Sequence, residues 1–397
     1  MSKLEELINE LCPEGVENKF LYEVCEITRG CVMSKEYLRD NAGEYPVYSS
    51  QTANNGIFGF ISKFDYDCES ITWTTDGANA GSVFYHFNER FSITNVCGLL
   101  RVSNPSVVNT KFLYYFLQIV AKNYVSSGMG NPKLMSNVMS RVKIPLPPLP
   151  VQREIVRILD NLTELTEELT AELTAELTAR KKQYEYYRGL LINFDGHPDT
   201  KVKWIKLGEI AEFRYGYTDI AKESGDLRFI RITDIDENGK LKQSDYKYIE
   251  LTNDSKSYLL QKGDLLMART GATYGKTMFY EENTPAVYAS FLIRIRFESK
   301  IVLPKYYWHV AQSNLYWDQA NKLVSKAGQP QFNANALKNV IIPIPSLEQQ
   351  ERIVSILDRF DTLCNDLTSG LPAEIEARRK QYEYYRDKLL TFREAKA

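Results

Sequence analysis

Residues 152–160 read QREIVRILD, and residues 350–358 read QERIVSILD. The two stretches stand 198 positions apart. At the same offset, 180–188 (RKKQYEYYR) matches 378–386 (RRKQYEYYR), and IPLP at 144–147 matches IPIP at 342–345. Fixed-period self-similarity decides architecture before any local reading. The chain is one unit written twice, a variable globular part followed by a nearly fixed helical part.

Working outward from these stretches, Pro147, Pro148 and Pro150 bar a helix before them. Apolar residues then fall at Ile155, Ile158, Leu159, Leu162, Leu165, Leu169, Leu173 and Leu177, in helical steps of three and four. No Gly or Pro interrupts before Gly189, so the spacing predicts one helix of about 40 residues, roughly 60 Å long. Residues 166–177 read TEEL-TAEL-TAEL. Four residues turn a helix by about 400°, so the leucine stripe rotates by ~40° per repeat and each repeat adds ~6 Å. A spacer whose repeat number sets a separation is favoured over a solvated coiled-coil stretch. In the second copy, 366–372 (DLTSGLP) interrupts the helix, with Ser369 or Gly370 expected to end one segment and Pro372 to start the next. Tyr184, Tyr186 and Tyr187, and likewise Tyr382, Tyr384 and Tyr385, place aromatics on more than one face. That suits packing within the chain or contact with a partner.

The globular parts repeat more weakly. LYEVCE at 21–26 resembles LGEIAE at 207–212; Asp76, Gly77, Ala78 and Gly81 resemble Thr270, Gly271, Ala272 and Gly275; Gly130-Asn131-Pro132 resembles Gly328-Gln329-Pro330. Strands are expected at 83–87, 97–102, 229–233, 265–268 and 291–297, and short helices at 111–120 and 305–312. Turns are expected at Asn54-Asn55-Gly56, Asp76-Gly77 and Asn238-Gly239. Each globular part is a mixed α+β domain of ordinary size.

Composition narrows the function. The 397 residues are 44% hydrophobic and 25% charged, with a net charge of −2, so any nucleic-acid surface must be a local patch. Cys12, Cys25, Cys31, Cys68, Cys97 and Cys364 lack zinc-site spacing and are expected to be reduced and mostly buried, and His86, His197 and His309 are scattered. The start, MSKLEELINEL, is acidic and amphipathic, unlike a targeting peptide. No apolar run spans a bilayer, and the cytoplasm is the expected location. Gly271 to Thr277 falls one residue short of a Walker A loop and reads as a tight turn. Asn131-Pro132-Lys133 lacks the second proline and the aromatic of an adenine-methyltransferase motif. No nucleophile, base or metal cluster stands out.

The loops carry groups suited to bases and phosphates. In the first domain these are Ser49, Gln51, Asn54, Asn55, Thr74, Thr75, Asn79 and Lys133. In the second they are Arg231, Asp234, Arg269, Thr270, Tyr274, Lys276, Gln329, Gln331 and Asn333. Asn and Gln suit adenine edges, Arg suits guanine, and Ser, Thr and Lys suit phosphates.

The proline-rich lead-ins, the IVRILD and IVSILD helices, the TAEL repeats and the doubled QYEYYR blocks resemble the specificity subunit of type I restriction–modification enzymes, in the branch with TAEL spacer repeats. The resemblance covers essentially the whole chain. It implies two tandem homologous α+β target recognition domains, separated by two helical regions that form an antiparallel coiled coil with pseudo-twofold symmetry. The corresponding segments are an N-terminal helix (1–15), a first recognition domain (16–145), a central spacer (146–199), a second recognition domain (200–343) and a distal spacer (344–397). Ile155, Leu159, Leu162, Leu169, Leu173, Leu177, Tyr184, Tyr187, Ile353, Leu357, Tyr382 and Tyr385 would form the spacer and partner-docking set. The resemblance further implies a non-catalytic chain that binds double-stranded DNA, two modification subunits and the restriction subunits. It binds no cofactor itself, with S-adenosylmethionine, ATP and Mg held by partners. A methyltransferase or nuclease with unfamiliar motifs, and a protein-binding scaffold, are the competing readings.

Overall fold

A computed structural model describes residues 2–126, 130–194, 202–298, 300–325, 328–366 and 368–395. His197 and the boundary expected at 199/200 lie outside the described residues. The principal helices are α1 (Lys3–Leu11), α2 (Thr110–Val120), α3 (Leu149–Ile192), α4 (Pro304–Ala311), α5 (Leu347–Asn365) and α6 (Leu371–Leu389). The chain divides into two compact units, Met1–Thr170 with Ala377–Ala397, and Ala171–Glu376.

The first unit holds a six-stranded sheet. Its strands are β1 (Cys25–Arg29), β2 (Tyr45–Tyr48), β3 (Ile57–Ile61), β4 (Tyr66–Thr74), β5 (Val83–Ile93) and β6 (Cys97–Val102), in the order β1-β6-β4-β5-β2-β3. All neighbours are antiparallel except β2 and β5. The second unit repeats this plan with β7 (Ala211–Tyr215), β8 (Leu227–Ile230), β9 (Tyr248–Ile249), β10 (Leu265–Ala268), β11 (Thr277–Phe279), β12 (Ala286–Tyr288) and β13 (Leu292–Phe297). Here the sheets run β7-β13-β10-β11 and β9-β8-β12, the last pair parallel. The long β5 of the first unit is represented by two strands, β11 and β12, with Pro285 just before the second. Proline cannot donate to a ladder, which suits a strand boundary. Expected strands at 97–102 and 265–268 match β6 and β10. The run expected over 229–233 ends at Ile230, where a 3₁₀ turn (Ile232–Asp234) takes over.

Each globular part is fastened to its helix by one glutamine. Gln152 is fully buried; its amide donates to the carbonyls of Val107 (2.9 Å) and Pro147 (2.7 Å) and accepts from the Asn109 amide (2.8 Å). Gln350 repeats the pattern with Ile301 (3.0 Å), Pro345 (3.0 Å) and the Leu303 amide (2.8 Å). The prolines upstream cannot donate, and their free carbonyls are what the amides satisfy.

The helical expectations need two corrections. Helix α3 runs for 44 residues and includes Gly189, because nothing crowds that position and one glycine costs only ~1 kcal/mol in a long helix. Helix α5 ends at Asn365, before Ser369 and Gly370. The Asp366 carboxylate accepts from the Thr368 amide (2.7 Å) and the Thr368 and Ser369 hydroxyls (2.6 and 2.9 Å), offering the backbone a turn instead. These donors hold its pKa down to about 2. Pro372 does fall in the first turn of α6. Leu367 lies outside the described residues.

Within each unit the helices pair antiparallel. In the first, Thr163 and Tyr382 share a hydroxyl hydrogen bond (2.9 Å), and Leu389, Leu390 and Phe392 pack with Val151, Ile155 and Leu159. In the second, Tyr184 and Tyr187 stack on Phe360 (centroids 6.1 and 5.5 Å), and Ile192 joins Ile353 and Leu357 in the core. Tyr382 and Tyr385 are more exposed than Tyr184 and Tyr187 because Leu162 stands where Phe360 stands. Leu169 is exposed, and Leu173 and Leu177 are half-buried.

A triad built on the buried His309 anchors α4 in the second unit. His309 Nε2 lies 2.7 Å from Asp358, and Tyr184 OH lies 3.3 Å from Nδ1. Burial, opposed by Asp358, pushes the imidazole below its ordinary value; His309 and Lys305 in turn hold Asp358 low despite its own burial. Both directions agree with a neutral ring that donates from Nε2 to a charged carboxylate. The counterpart in the first unit is Tyr115, donating to Asp160 (2.6 Å).

Gln152→Ala or Gln350→Ala leaves three backbone groups without their partner, one of them a buried proline carbonyl, and should destabilise its own unit by about 1–3 kcal/mol in urea unfolding. A lowered histidine pKa contributes stability that is complete above the ordinary value of 6.5 and is lost as pH falls below it. The second unit should therefore unfold more readily on going from pH 7 toward pH 5. Facing groups are Asp358, Asp361, Lys305 and Tyr184. His309→Gln should flatten the profile.

Candidate nucleic-acid interface

Four backbone segments meet at one end of each sheet. In the first unit they are the end of β1, the turn 75–81 after β4, the turn before β6, and 130–134. The Gly77 amide donates to Pro132 (3.0 Å), Leu134 donates to Thr75 (2.9 Å), and Lys133 and Ser126 exchange bonds (3.1 and 2.9 Å). In the second unit Gly271 donates to Pro330 (3.1 Å), Phe332 to Arg269 (2.8 Å), and Gln331 and Ser325 exchange bonds (3.1 and 3.0 Å). The two cages correspond at offsets of 194 for the first turn and 198 for the last segment. Gly77 (φ +92°) and Gly271 (φ +73°) sit where side chains are strained.

On this common backbone the side chains differ. In the first unit Asp76 lies between Arg29 (3.7 Å) and Lys133 (3.8 Å). Arg29 donates to Thr75 Oγ1 (3.1 Å) and to the Asn95 carbonyl, and its buried Nε has no partner in the protein. In the second unit Tyr215 stands at the Arg29 position and the arginine is supplied by Arg269. Its Nε donates to the Ser290 carbonyl (2.9 Å), the counterpart of Asn95. Its guanidinium lies 5.4 Å from both the Tyr215 and Phe291 rings, which are 43% and 51% exposed. Both units thus aim an arginine at the same carbonyl from different parts of the chain.

The residues expected from sequence divide into two sets. Thr74, Thr75, Thr270 and Asp234 are buried in the free chain, where they shape the loops. Thr74 Oγ1 bonds the Asn79 carbonyl, Thr75 Oγ1 donates to Asp76 (2.6 Å), and Thr270 accepts from Gln331 (2.9 Å). Asp234 binds Arg231 through both oxygens (3.1 and 2.7 Å), and Arg231 also reaches Asp245 (3.0 Å). Lys247 first, and Arg231 after it, hold Asp245 below its usual range. Ser49, at the position matching Arg231, accepts from Thr94 (2.9 Å), and Gln51 donates to the Ile57 carbonyl. Tyr274 donates to Asn321 (2.8 Å), Asn333 caps the helix Ala334–Leu337, and Lys276 borders a cleft with Trp308 and Trp317. Asn54 and Asn55 form an exposed left-handed turn (φ 51° and 52°) joining β2 to β3. Asn79, Lys133, Gln329 and Asn333 are exposed and Gln331 half-buried. Sequence reading passed over Arg29, Asp76, Tyr215 and Phe291, which the fold places beside these loops. Aligning the copies strand by strand would have found them.

The duplicated cage on a duplicated sheet matches one family throughout. The type I restriction modification DNA specificity domain matches residues 13–179 and again 200–377. The chain belongs to this family. A Mycoplasma pneumoniae chain named as a type I specificity subunit is 31% identical over 380 residues, covering 92% of this chain and 95% of its own length. A Haemophilus influenzae chain named as a type I restriction enzyme specificity subunit is 35% identical over 396 residues, covering 95% and 96%. Among solved structures, a chain from the type I restriction–modification system superposes with a TM-score of 0.67 at 17% identity, covering 95% of this chain and 97% of that one. The subunit from Thermoanaerobacter tengcongensis gives 0.53 at 18%, covering 96% and 97%. Like other specificity subunits, this chain is the non-catalytic member of its system.

Proposed function

We propose that the two loop cages read the two halves of an asymmetric, bipartite double-stranded DNA site. The observation that carries this reading is one backbone cage built twice with different side chains. A shared frame poses both domains alike on a duplex, and the differing tips specify different bases. Asp76 with Arg29 and Lys133 would face one half-site; Arg269, Gln331 and Asn333 would face the other. Arginine held by a carbonyl and flanked by rings is preorganised for guanine or for stacking, and Gln or Asn for adenine. Holding both readers in one chain converts two weak contacts into one strong one.

The helix pairs set the gap between half-sites and carry the partners. The exposed Tyr186, Tyr384 and Tyr385 suit docking of two modification subunits, which methylate adenine at N6 with S-adenosylmethionine. Restriction subunits using ATP and Mg complete the cytoplasmic assembly, and this chain directs both activities to the site.

Genome-wide adenine-methylation mapping tests the reading. Lys133→Gln and Gln331→Lys, each importing its counterpart, should alter one half-site apiece, with ~1–3 kcal/mol of changed discrimination at the affected base. Altered recognition in both halves from one substitution would contradict separate readers. Deleting one TAEL unit should keep both half-sites and shorten the gap by about one or two base pairs, since a ~6 Å helical segment compares with ~3.4 Å per base. Unchanged spacing with altered half-sites would remove the ruler.

A further inference from the structure

Among the described residues, no large apolar side chain is more exposed than Val32 (80%) and Ile220 (79%). Single exposed apolar residues are ordinary on a protein surface, and scatter is their usual explanation. These two are not scattered. One lies in each unit, and both stand on the same loop, the one that leaves the first strand of the sheet, β1 or β7.

The fold holds the two loops alike. Cys31 bridges to Thr94 and Tyr217 to Ala289, parallel in both cases and at matching places in the two copies. Just before these bridges, a Cβ at Gly30 would collide with the Ile93 carbonyl, and one at Gly216 with the Ala289 carbonyl. Each strand therefore leaves its sheet pressed against the segment that carries Asn95 or Ser290, whose carbonyls hold the cage arginines. The Asn95 amide donates to the Cys31 carbonyl (2.8 Å), so Val32 is the next residue after a direct bond to the cage. In the second unit the Tyr217 amide donates to the Tyr288 carbonyl (2.8 Å), and the Ile220 amide donates to the Asp219 carboxylate (2.7 Å). The apolar residue stands one position past the bridge in one copy and three past it in the other. The frame is shared and the tip is shifted, as with the polar groups of the cages.

We infer that Val32 and Ile220 each contact the 5-methyl group of a thymine in the half-site that its own unit reads. The inference rests on the cages being the DNA readers and adds the apolar part of the readout. Base pairs present hydrogen-bonding groups to the major groove, with one apolar exception, the thymine methyl. Polar cage groups pair with the former. A branched aliphatic side chain beside them has the methyl to bury against, and both surfaces lose water when the contact closes.

The test uses the full chain with its modification subunits, on the duplex that methylation mapping defines. Each thymine in turn is replaced by deoxyuridine, which lacks only the methyl group, and binding is read by anisotropy. One replacement in each half-site should weaken wild-type binding about three- to five-fold, the value of one buried methyl group. Val32→Ser should abolish that penalty in one half-site and leave the other, and Ile220→Ser should do the converse. Such pairing of a variant with a methyl identifies a direct contact. Both positions are exposed, so serine leaves the fold intact. A half-site without thymine, or uracil penalties unchanged by both variants, would overturn the inference. So would 2-aminopurine fluorescence that rises on binding the wild type but not Val32→Ser, the mark of a wedge between bases. If Lys133→Gln and Gln331→Lys still altered their half-sites in those cases, the cages would stand as readers without the methyl contacts. Silence of those two substitutions, with the uracil coupling intact, would remove the cages and keep the methyl contacts.

Discussion

The buried glutamine amide at the root of each long helix is the contact on which the architecture depends. The carbonyls of Pro147 and Pro345 lie just ahead of the helices and take the glutamine amides as donors, and a globular domain ending at those prolines could otherwise pivot about them. Gln152 and Gln350 remove that freedom by satisfying the proline carbonyl and the chain preceding α2 or α4 at once. A side chain that misplaced either partner would leave buried polar groups unpaired, at a cost of about 1–3 kcal/mol each. The direction of each helix is thereby fixed relative to its own sheet, and the loop cage at the sheet's end inherits that direction.

The cages show how a recognition surface can vary while its frame does not. Their hydrogen bonds run between backbone groups: Gly77 to Pro132 and Gly271 to Pro330, Leu134 to Thr75 and Phe332 to Arg269. Side chains are then free to change without dismantling the loop. The arginine that reaches Asn95 from β1 in one copy reaches the equivalent Ser290 from beyond β10 in the other. What persists is a cation held at a carbonyl; what changes is its neighbour, a carboxylate in one unit and two aromatic rings in the other.

Much of this was legible in the sequence because backbone demands leave fixed signatures. The offset of 198 exposed the duplication, glycines marked the cage turns, and strands such as 97–102 and 265–268 announced themselves by composition. The helix end at Asn365 was misplaced because Asp366 competes for its own backbone, a local effect that no periodicity records. The loop residues were only partly legible. Thr75 and Thr270 have the chemistry of DNA contacts, but the cage turns them inward; Arg29 and Tyr215 sit in unremarkable strands and gain meaning only from what the fold places beside them.

The spacer obeys a different logic from the domains it joins. Thr166, Thr170 and Thr178 each return a hydroxyl bond to the carbonyl four residues earlier (2.6, 2.7 and 2.9 Å). A four-residue repeat with a four-residue hydrogen bond is closed on itself, so adding or removing one leaves no orphaned polar group. Leu165 and Leu169 are exposed at 61% and 36%, so little packing is lost when the stripe rotates. The strong contacts lie toward the ends, at Tyr184 on Phe360 and Thr163 on Tyr382, outside the repeat. A segment whose threonine hydroxyls bond within the helix keeps those bonds local to the repeat.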